Sequence, residues 1–317
     1  MKKFAVAAIA ALAVSAAPAF AADMPVKAKP VAAPPPPAWD IAFGGAIASD
    51  YIWRGITQSN HQPSVASYIE PRYNVTKDIQ LYVGAGGASI SFPNRAAAEI
   101  DFYAGVRPTF DKLSLDFGVW YYWYPGGQCF NLAAGCPFSD TVTGGLPING
   151  NLAKADWSFV EIYAKASYAI TDAFTLGVAF YYSPSVLNTG APGFFYTANA
   201  KYVFPALANG VQFYVSGDYG FWDLGTSDAF YLSTPYKDYS TWDLGVGFTW
   251  KVFTVDLRYI DTDLSQGDCN AFTSDHTATF NGSFTAINPG GFGSSWCGAR
   301  FVGRVSWDLS VMSNLKP

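Results

Sequence analysis

The chain has 317 residues, of which 14% are charged, 17% aromatic and 50% hydrophobic, with a formal net charge of −5 at pH 7. A charged fraction well below the ~25% of ordinary soluble domains points away from a water-soluble globule. The acidic balance excludes a nucleic-acid binder, which needs a basic patch. No stretch beyond the N-terminus offers the about 18 consecutive apolar residues that a membrane-spanning helix requires.

Residues 1–22 open with Lys2 and Lys3, continue through an apolar run to Ala17, and reach an Ala19-Phe20-Ala21 cleavage pattern. This is the arrangement of a Sec signal peptide, and its removal takes the net charge from −5 to −7. Residues 23–39, rich in Pro and Ala, read as an extended periplasmic linker.

From Asp40 the pattern turns to period two, and residues 40–310 read as a barrel followed by a short tail, 311–317. Strands are expected at 40–53, 64–75, 79–91, 98–110, 113–124, 157–170, 174–183, 194–204, 211–221, 241–250, 253–261 and 299–309. Most have about the 9–11 residues with which a tilted strand crosses a bilayer. One face is apolar, as in Ile100, Phe102, Ala104 and Val106, or Trp242, Leu244, Val246 and Phe248. The other carries small, polar and charged residues such as Glu99, Asp101, Gly105 and Arg107.

Alternation by itself is shared with soluble sandwiches and barrels. Three further features decide for the membrane. Short connections (Val75–Ile79, Phe110–Leu113, Ile170–Phe174, Phe204–Val211 and Trp250–Phe253) alternate with long ones (54–63, 92–97, 125–156, 184–193, 222–240 and 262–298), as in outer-membrane barrels. Aromatics crowd the strand ends: Tyr51, Trp53, Tyr121 to Tyr124, Trp157, Tyr181, Tyr182, Phe221 and Trp222 toward the long loops. Tyr73, Phe110, Phe174, Phe204, Trp250 and Trp307 lie toward the short turns, so that two interfacial girdles are expected. An even strand count returns both ends to the short-turn, periplasmic rim. The expected fold is therefore all-β: a transmembrane antiparallel up-and-down barrel of about 12 strands in the outer membrane of a Gram-negative cell.

The segment 49–63, SDYIWRGITQSNHQP, resembles the opening strand and loop of the TorF-type porin family, through Ser49, Asp50, Tyr51, Arg54, Gly55, Gln58, Ser59 and Pro63. Residues 99–105 are similar to a later strand of that family. The resemblance covers about the first quarter of the chain and implies a porin without naming a solute.

Charges on the inward parity cannot face acyl chains, where Arg or Lys costs about 2–4 kcal/mol at the midplane. The pore-lining acids are Asp50, Glu70, Glu99, Asp101, Asp116, Glu161, Asp218, Asp243, Asp256 and Asp308. The bases are Arg54, Arg72, Arg107, Lys165, Lys201, Lys251, Arg258, Arg300 and Arg304. This near-neutral set either lines a hydrated channel or pairs across a narrow lumen and closes it, and the open channel is favoured here because 12 strands lie between filled and porin-sized barrels. The long loops hold nine acids (Asp140, Asp156, Asp223, Asp228, Asp238, Asp261, Asp263, Asp268 and Asp275) against Arg95, Lys154 and Lys237, so a weak cation preference is expected.

Four cysteines in an exported chain suggest the disulfides Cys129–Cys136 and Cys269–Cys297 by local spacing, stapling two outer loops. Neither spacing matches a metal site, and no cofactor is expected. His61 and His276 are the only histidines, both in loops; His61 stands three residues before Ser64 with no evident orienting partner, so no enzyme is expected. The expected function is passive diffusion of small hydrophilic solutes or ions through an outer-membrane porin, with a closed structural or adhesive barrel as the alternative. Expected partners are outer-membrane lipid, lipopolysaccharide and the barrel-assembly machinery, with a homo-oligomer open and nucleic acid excluded.

Overall fold

The computed structural model describes residues 37–129 and 151–315. Twelve strands make one closed antiparallel barrel: β1 Trp39–Ala48, β2 Ser64–Asn74, β3 Ile79–Ala88, β4 Glu99–Phe110, β5 Leu113–Trp123 and β6 Phe159–Ala169. The second half comprises β7 Phe174–Ser183, β8 Gly193–Val203, β9 Gln212–Leu224, β10 Tyr239–Trp250, β11 Phe253–Thr262 and β12 Arg300–Ser310. Each strand pairs with its sequence neighbours, and β1 closes the ring on β12 through Ala42 opposite Ser310 to Ala48 opposite Arg304. Closure leaves no sheet edge, so every strand's backbone polar groups find partners, as hydrocarbon surroundings demand.

The outward face is an apolar belt that water would not tolerate. Leu244, Leu257, Val65, Val83 and Val246 are each 55–61% exposed at mid-strand, and Phe301 is 82% exposed. An uninterrupted apolar surface of this kind marks contact with lipid. At the short-turn rim Tyr73, Phe110, Phe204, Trp250 and Phe253 point outward. At the long-loop rim only part of the expected girdle does so. Tyr121, Trp123 and Phe221 are exposed, whereas Trp53, Tyr122, Tyr124, Trp157, Tyr181 and Trp222 are buried inside the barrel. The reason is the pleat: in a run of adjacent aromatics, alternate rings must face the lumen.

Four sequence expectations are corrected. The first strand ends at Ala48 rather than 53, because the chain turns inward there. Lys251 stands in the two-residue turn between β10 and β11, with its ammonium over the ring of Trp250, and not in the lumen. Asp223 and Asp261 belong to strand ends rather than loops. The long loop after β11 carries an unforeseen helix, α1 Gln266–Thr273, whose N-cap Ser265 accepts from the Asp268 backbone N–H. The Cys269–Cys297 disulfide ties α1 to the start of β12. Cys129 is buried, while the Cys136 half of the other expected pair lies outside the described residues. After β12, Val311–Leu315 makes one helical turn against β1, where the Met312 N–H donates to Asp40.

Candidate functional site

The segment after β1 is built around one carboxylate. Asp50 Oδ1 accepts from Thr57 Oγ1 (2.5 Å) and Ser59 Oγ (2.8 Å), and its Oδ2 accepts from Arg300 Nη1 (3.3 Å) on β12. These bonds fold residues 52–57 into a minimal hairpin, with Ile52 opposite Thr57 and Trp53 opposite Ile56. Its two turn residues, Arg54 and Gly55, have φ of 50° and 81°. Both positions of such a tight turn require positive φ, which Gly adopts freely and Arg only at about 1–2 kcal/mol. A Cβ on Gly55 would stand 2.3 Å from Thr262 Cγ2. The hairpin is therefore pressed against the barrel wall, and its tip delivers Arg54 to the lumen.

Arg54 is 2% exposed. Its guanidinium carbon lies 4.4 Å from the ring centre of Trp222, 4.5 Å from those of Trp53 and Phe195, and 5.0 Å from that of Tyr181. Nη2 donates to Glu161 Oε2 at 2.8 Å, and the backbone carbonyl accepts from Tyr239 Oη at 2.9 Å. Glu161 also accepts from Tyr122 Oη (3.2 Å). Cation–π contact in a desolvated site contributes about 2 kcal/mol or more, which helps to offset the burial of the charge. Beside this cage, Glu99 accepts from Tyr51 Oη (2.5 Å) and Tyr124 Oη (2.8 Å). Asp101, on the same face of β4, is fully buried beside the Trp120 indole N–H.

Toward the short turns the lumen is charged and partly exposed. Glu70 accepts from Arg72 Nε at 2.5 Å and from both Nη atoms of Arg107 at 2.6 and 3.0 Å. Arg107 reaches Asp116 (3.3 Å) and lies 3.7 Å over the Tyr82 ring, whose hydroxyl donates to Asp116 (2.5 Å). On the opposite wall Arg258 bridges Asp243 and Asp256 and donates to Ser216 (2.8 Å), while Tyr214 donates to Asp256 (2.6 Å). Arg304 stands opposite Asp256 in the strand register. Tyr68 donates to Asp308 (3.0 Å) and Thr197 to Asp218 (2.8 Å); Lys165 and Lys201 lie 4.5 Å from the rings of Tyr163 and Tyr214. Many of the sequence-predicted charges thus gather into two clusters at the short-turn half, while the aromatic-wrapped Arg54–Glu161 pair, the Asp50–Arg300 pair, Glu99 and Asp101 lie toward the long loops. The aromatic component, Trp53, Tyr181, Phe195 and Trp222, was not foreseen.

At the outer mouth His61 has Nε2 3.2 Å from Ser295 Oγ and Nδ1 3.3 Å from Asp50 Oδ2, which outlines an Asp–His–Ser line. Arg300 Nη1 sits 3.2 Å from the same Nδ1 and bonds the same carboxylate. The guanidinium thus competes with the imidazole for the same Asp50 carboxylate oxygen, so that carboxylate does not serve His61 alone as an orienting partner. His61 does not engage Ser64, whose hydroxyl donates to Ser89 O (2.8 Å). Several acids of the mouth serve as local acceptors: Asp228 pairs with Lys154 (2.5 Å), Asp263 receives the Ser240 N–H (2.7 Å), and Asp275 receives the Ser294 hydroxyl (2.7 Å). Asp140 lies outside the described residues.

No curated protein matches the sequence. Among solved structures, the NanC porin is similar at 8% identity and a TM-score of 0.42, covering 86% of this chain and 100% of its own. The KdgM porin in complex with oligogalacturonate is similar at 9% identity and 0.40, over 84% and 98%. OmpT, an outer-membrane protein of Vibrio cholerae, is similar at 10% identity and 0.36, over 86% and 98%. Resemblance at this level says nothing about solute or activity. The model of a family described as a bacterial protein of unknown function, Gcw_chp, matches residues 32–287, and the chain belongs to that family.

Proposed function

We propose that the protein is an outer-membrane barrel of porin type that passes small hydrophilic solutes passively, and that the hairpin 52–57 closes it in the conformation described. The observation that carries this reading is the division of the lumen along its length. Its short-turn half presents charged and polar side chains of which Arg107, Asp116, Asp256 and Arg258 are partly exposed while Glu70 and Arg72 are buried, as the wall of a hydrated vestibule would. Its long-loop half is filled, among the described residues, by the hairpin packed together with strand aromatics and with outer-loop side chains such as Phe92, Trp157, Val186 and Phe272, and the hairpin's tip, Arg54, is bound by an aromatic cage and one ion pair. A permanent structural closure would be built from strand residues, whereas this one hangs on a loop. The TorF-type resemblance of residues 49–63, the export signal in 1–22 and a weak cation preference belong to the same reading. The preference is supported by the acid excess of the mouth and by Glu99 and Asp101 beside the cage.

A closed structural barrel is the second reading, favoured by the depth of Arg54 burial. Single-channel conductance of the refolded protein in a planar bilayer under a salt gradient separates the two. Infrequent steps are expected from the wild type and sustained, cation-favouring steps from W53A/R54A. Silence from both, in demonstrably folded barrels, establishes the structural reading.

A further inference from the structure

The closing element has a chemistry of its own. A guanidinium enclosed by four aromatic rings and set against a carboxylate is the environment that selects weakly hydrated organic cations over sodium or potassium, whose hydration shells such rings cannot replace. The charge count around it is unbalanced. Arg54 pairs with Glu161, while Glu99 is held by two tyrosine hydroxyls and the fully buried Asp101 lies beside the Trp120 indole N–H, so that among the described residues neither of these two acids has a base beside it. Asp101 stands opposite Tyr122 in the strand register, and that tyrosine's hydroxyl bonds Glu161, so the acids of β4 and β6 flank one side chain. If ionised, an acid in such a place is costly unless a positive group reaches it.

Arg54 itself uses the site poorly. A guanidinium has five N–H donors, yet only Nη2 bonds a protein group, and Nε is buried without an acceptor. Its reach is limited by the hairpin, whose turn holds Arg54 at positive φ. A free cation of the same shape, unconstrained by that turn, could satisfy Glu161 with more than one of its N–H donors.

We infer that the cage formed by Trp53, Tyr181, Phe195 and Trp222 with Glu161 is a recognition site for guanidinium-type organic cations, occupied in this state by the chain's own Arg54. This rests on the reading of the barrel as a conduit closed by the hairpin. It makes the plug and the selectivity element one structure, because a solute that competes for the cage is the solute that releases it.

The test is a binding measurement that needs no conductance. The R54M variant, which keeps most of the stem volume, is refolded in detergent and titrated with methylguanidinium at constant ionic strength while tryptophan fluorescence is followed. Methylurea, the neutral isostere, is the control. A saturable response to methylguanidinium is expected, with none to methylurea. Binding should weaken about tenfold or more in R54M/E161Q. No saturation, or equal responses to the two compounds, overturns the inference. If R54M does not refold, the wild type carries the same test. Methylguanidinium must then accelerate trypsin cleavage after Arg54 and methylurea must not, and equal rates overturn the inference. A barrel that binds but never conducts refutes the conduit reading alone; one that conducts without binding refutes the site alone.

Discussion

Substitution of Glu161 by Gln tests the closing element most directly. Arg54 and Glu161 are 2% and 1% exposed and meet at 2.8 Å, so water cannot take over the role of the lost carboxylate while the hairpin stays seated. Removing one partner of a buried pair costs about 3–5 kcal/mol, because the other charge is left uncompensated. The glutamine keeps the shape of the side chain and can still receive the Tyr122 hydroxyl, so the penalty falls on the seating of the hairpin and not on the strand ladder. At about 1.4 kcal/mol per decade, the population of released hairpin rises between about a hundredfold and a few thousandfold. Trypsin reads this, since the Arg54–Gly55 bond is shielded while Arg54 is buried. Cleavage there should be undetectable in the wild type and rapid in E161Q. The exposed Lys77 and Arg95 are cut alike in both, and heat-modifiable migration confirms that both barrels are folded. Equal resistance at Arg54 in the two proteins would refute the claim that this ion pair holds the plug.

Leu244→Arg places a charge at the centre of the outward belt, at a side chain already 61% exposed; a water-facing surface would accept it, whereas a lipid-facing one loses about 2–4 kcal/mol, measured by urea titration in liposomes. Gly55→Ala adds a Cβ 2.3 Å from Thr262 Cγ2 at φ 81°, so the hairpin should unseat and Arg54 become trypsin-sensitive with the barrel intact. Burial in the outer loop holds the His276 imidazole below its ordinary 6.5, with the nearby Arg95 charge adding to the effect and Asp275 opposing it. The folded loop therefore binds fewer protons than the unfolded one below pH 6.5. Its stability is full above that pH and falls as pH drops through the depressed value, and protease resistance of residues 263–299 should decline between pH 7.5 and 5 in the wild type and not in H276Q.

The barrel was legible because its cause is local. Side-chain alternation has a period of exactly the strand pleat only when one face meets lipid and the other the lumen, so twelve segments and their turns could be placed within a few residues. The same rule misled at residues 49–53, since Tyr51 and Trp53 continue the alternation although the chain has left the wall; an extended hairpin inside the lumen has the same period as a strand beside it. The helix at Gln266–Thr273 did leave a signal, Ser265 followed three residues later by Asp268, which is the opening of a capping box.

Parity picked out charges expected to turn inward, although Lys251 stands in a turn and Arg54 on the hairpin, and no reading of one segment could tell which of them meet. Arg54 and Glu161 are 107 residues apart, and the four rings around Arg54 come from the hairpin and from β7, β8 and β9. Their convergence depends on the stagger of strands around a closed ring and on a loop folding back across it. Composition and periodicity determine a wall with a wet side and a greasy side; only closure of that wall decides what stands across the lumen from what, and hence whether the inward charges leave a passage or hold a plug.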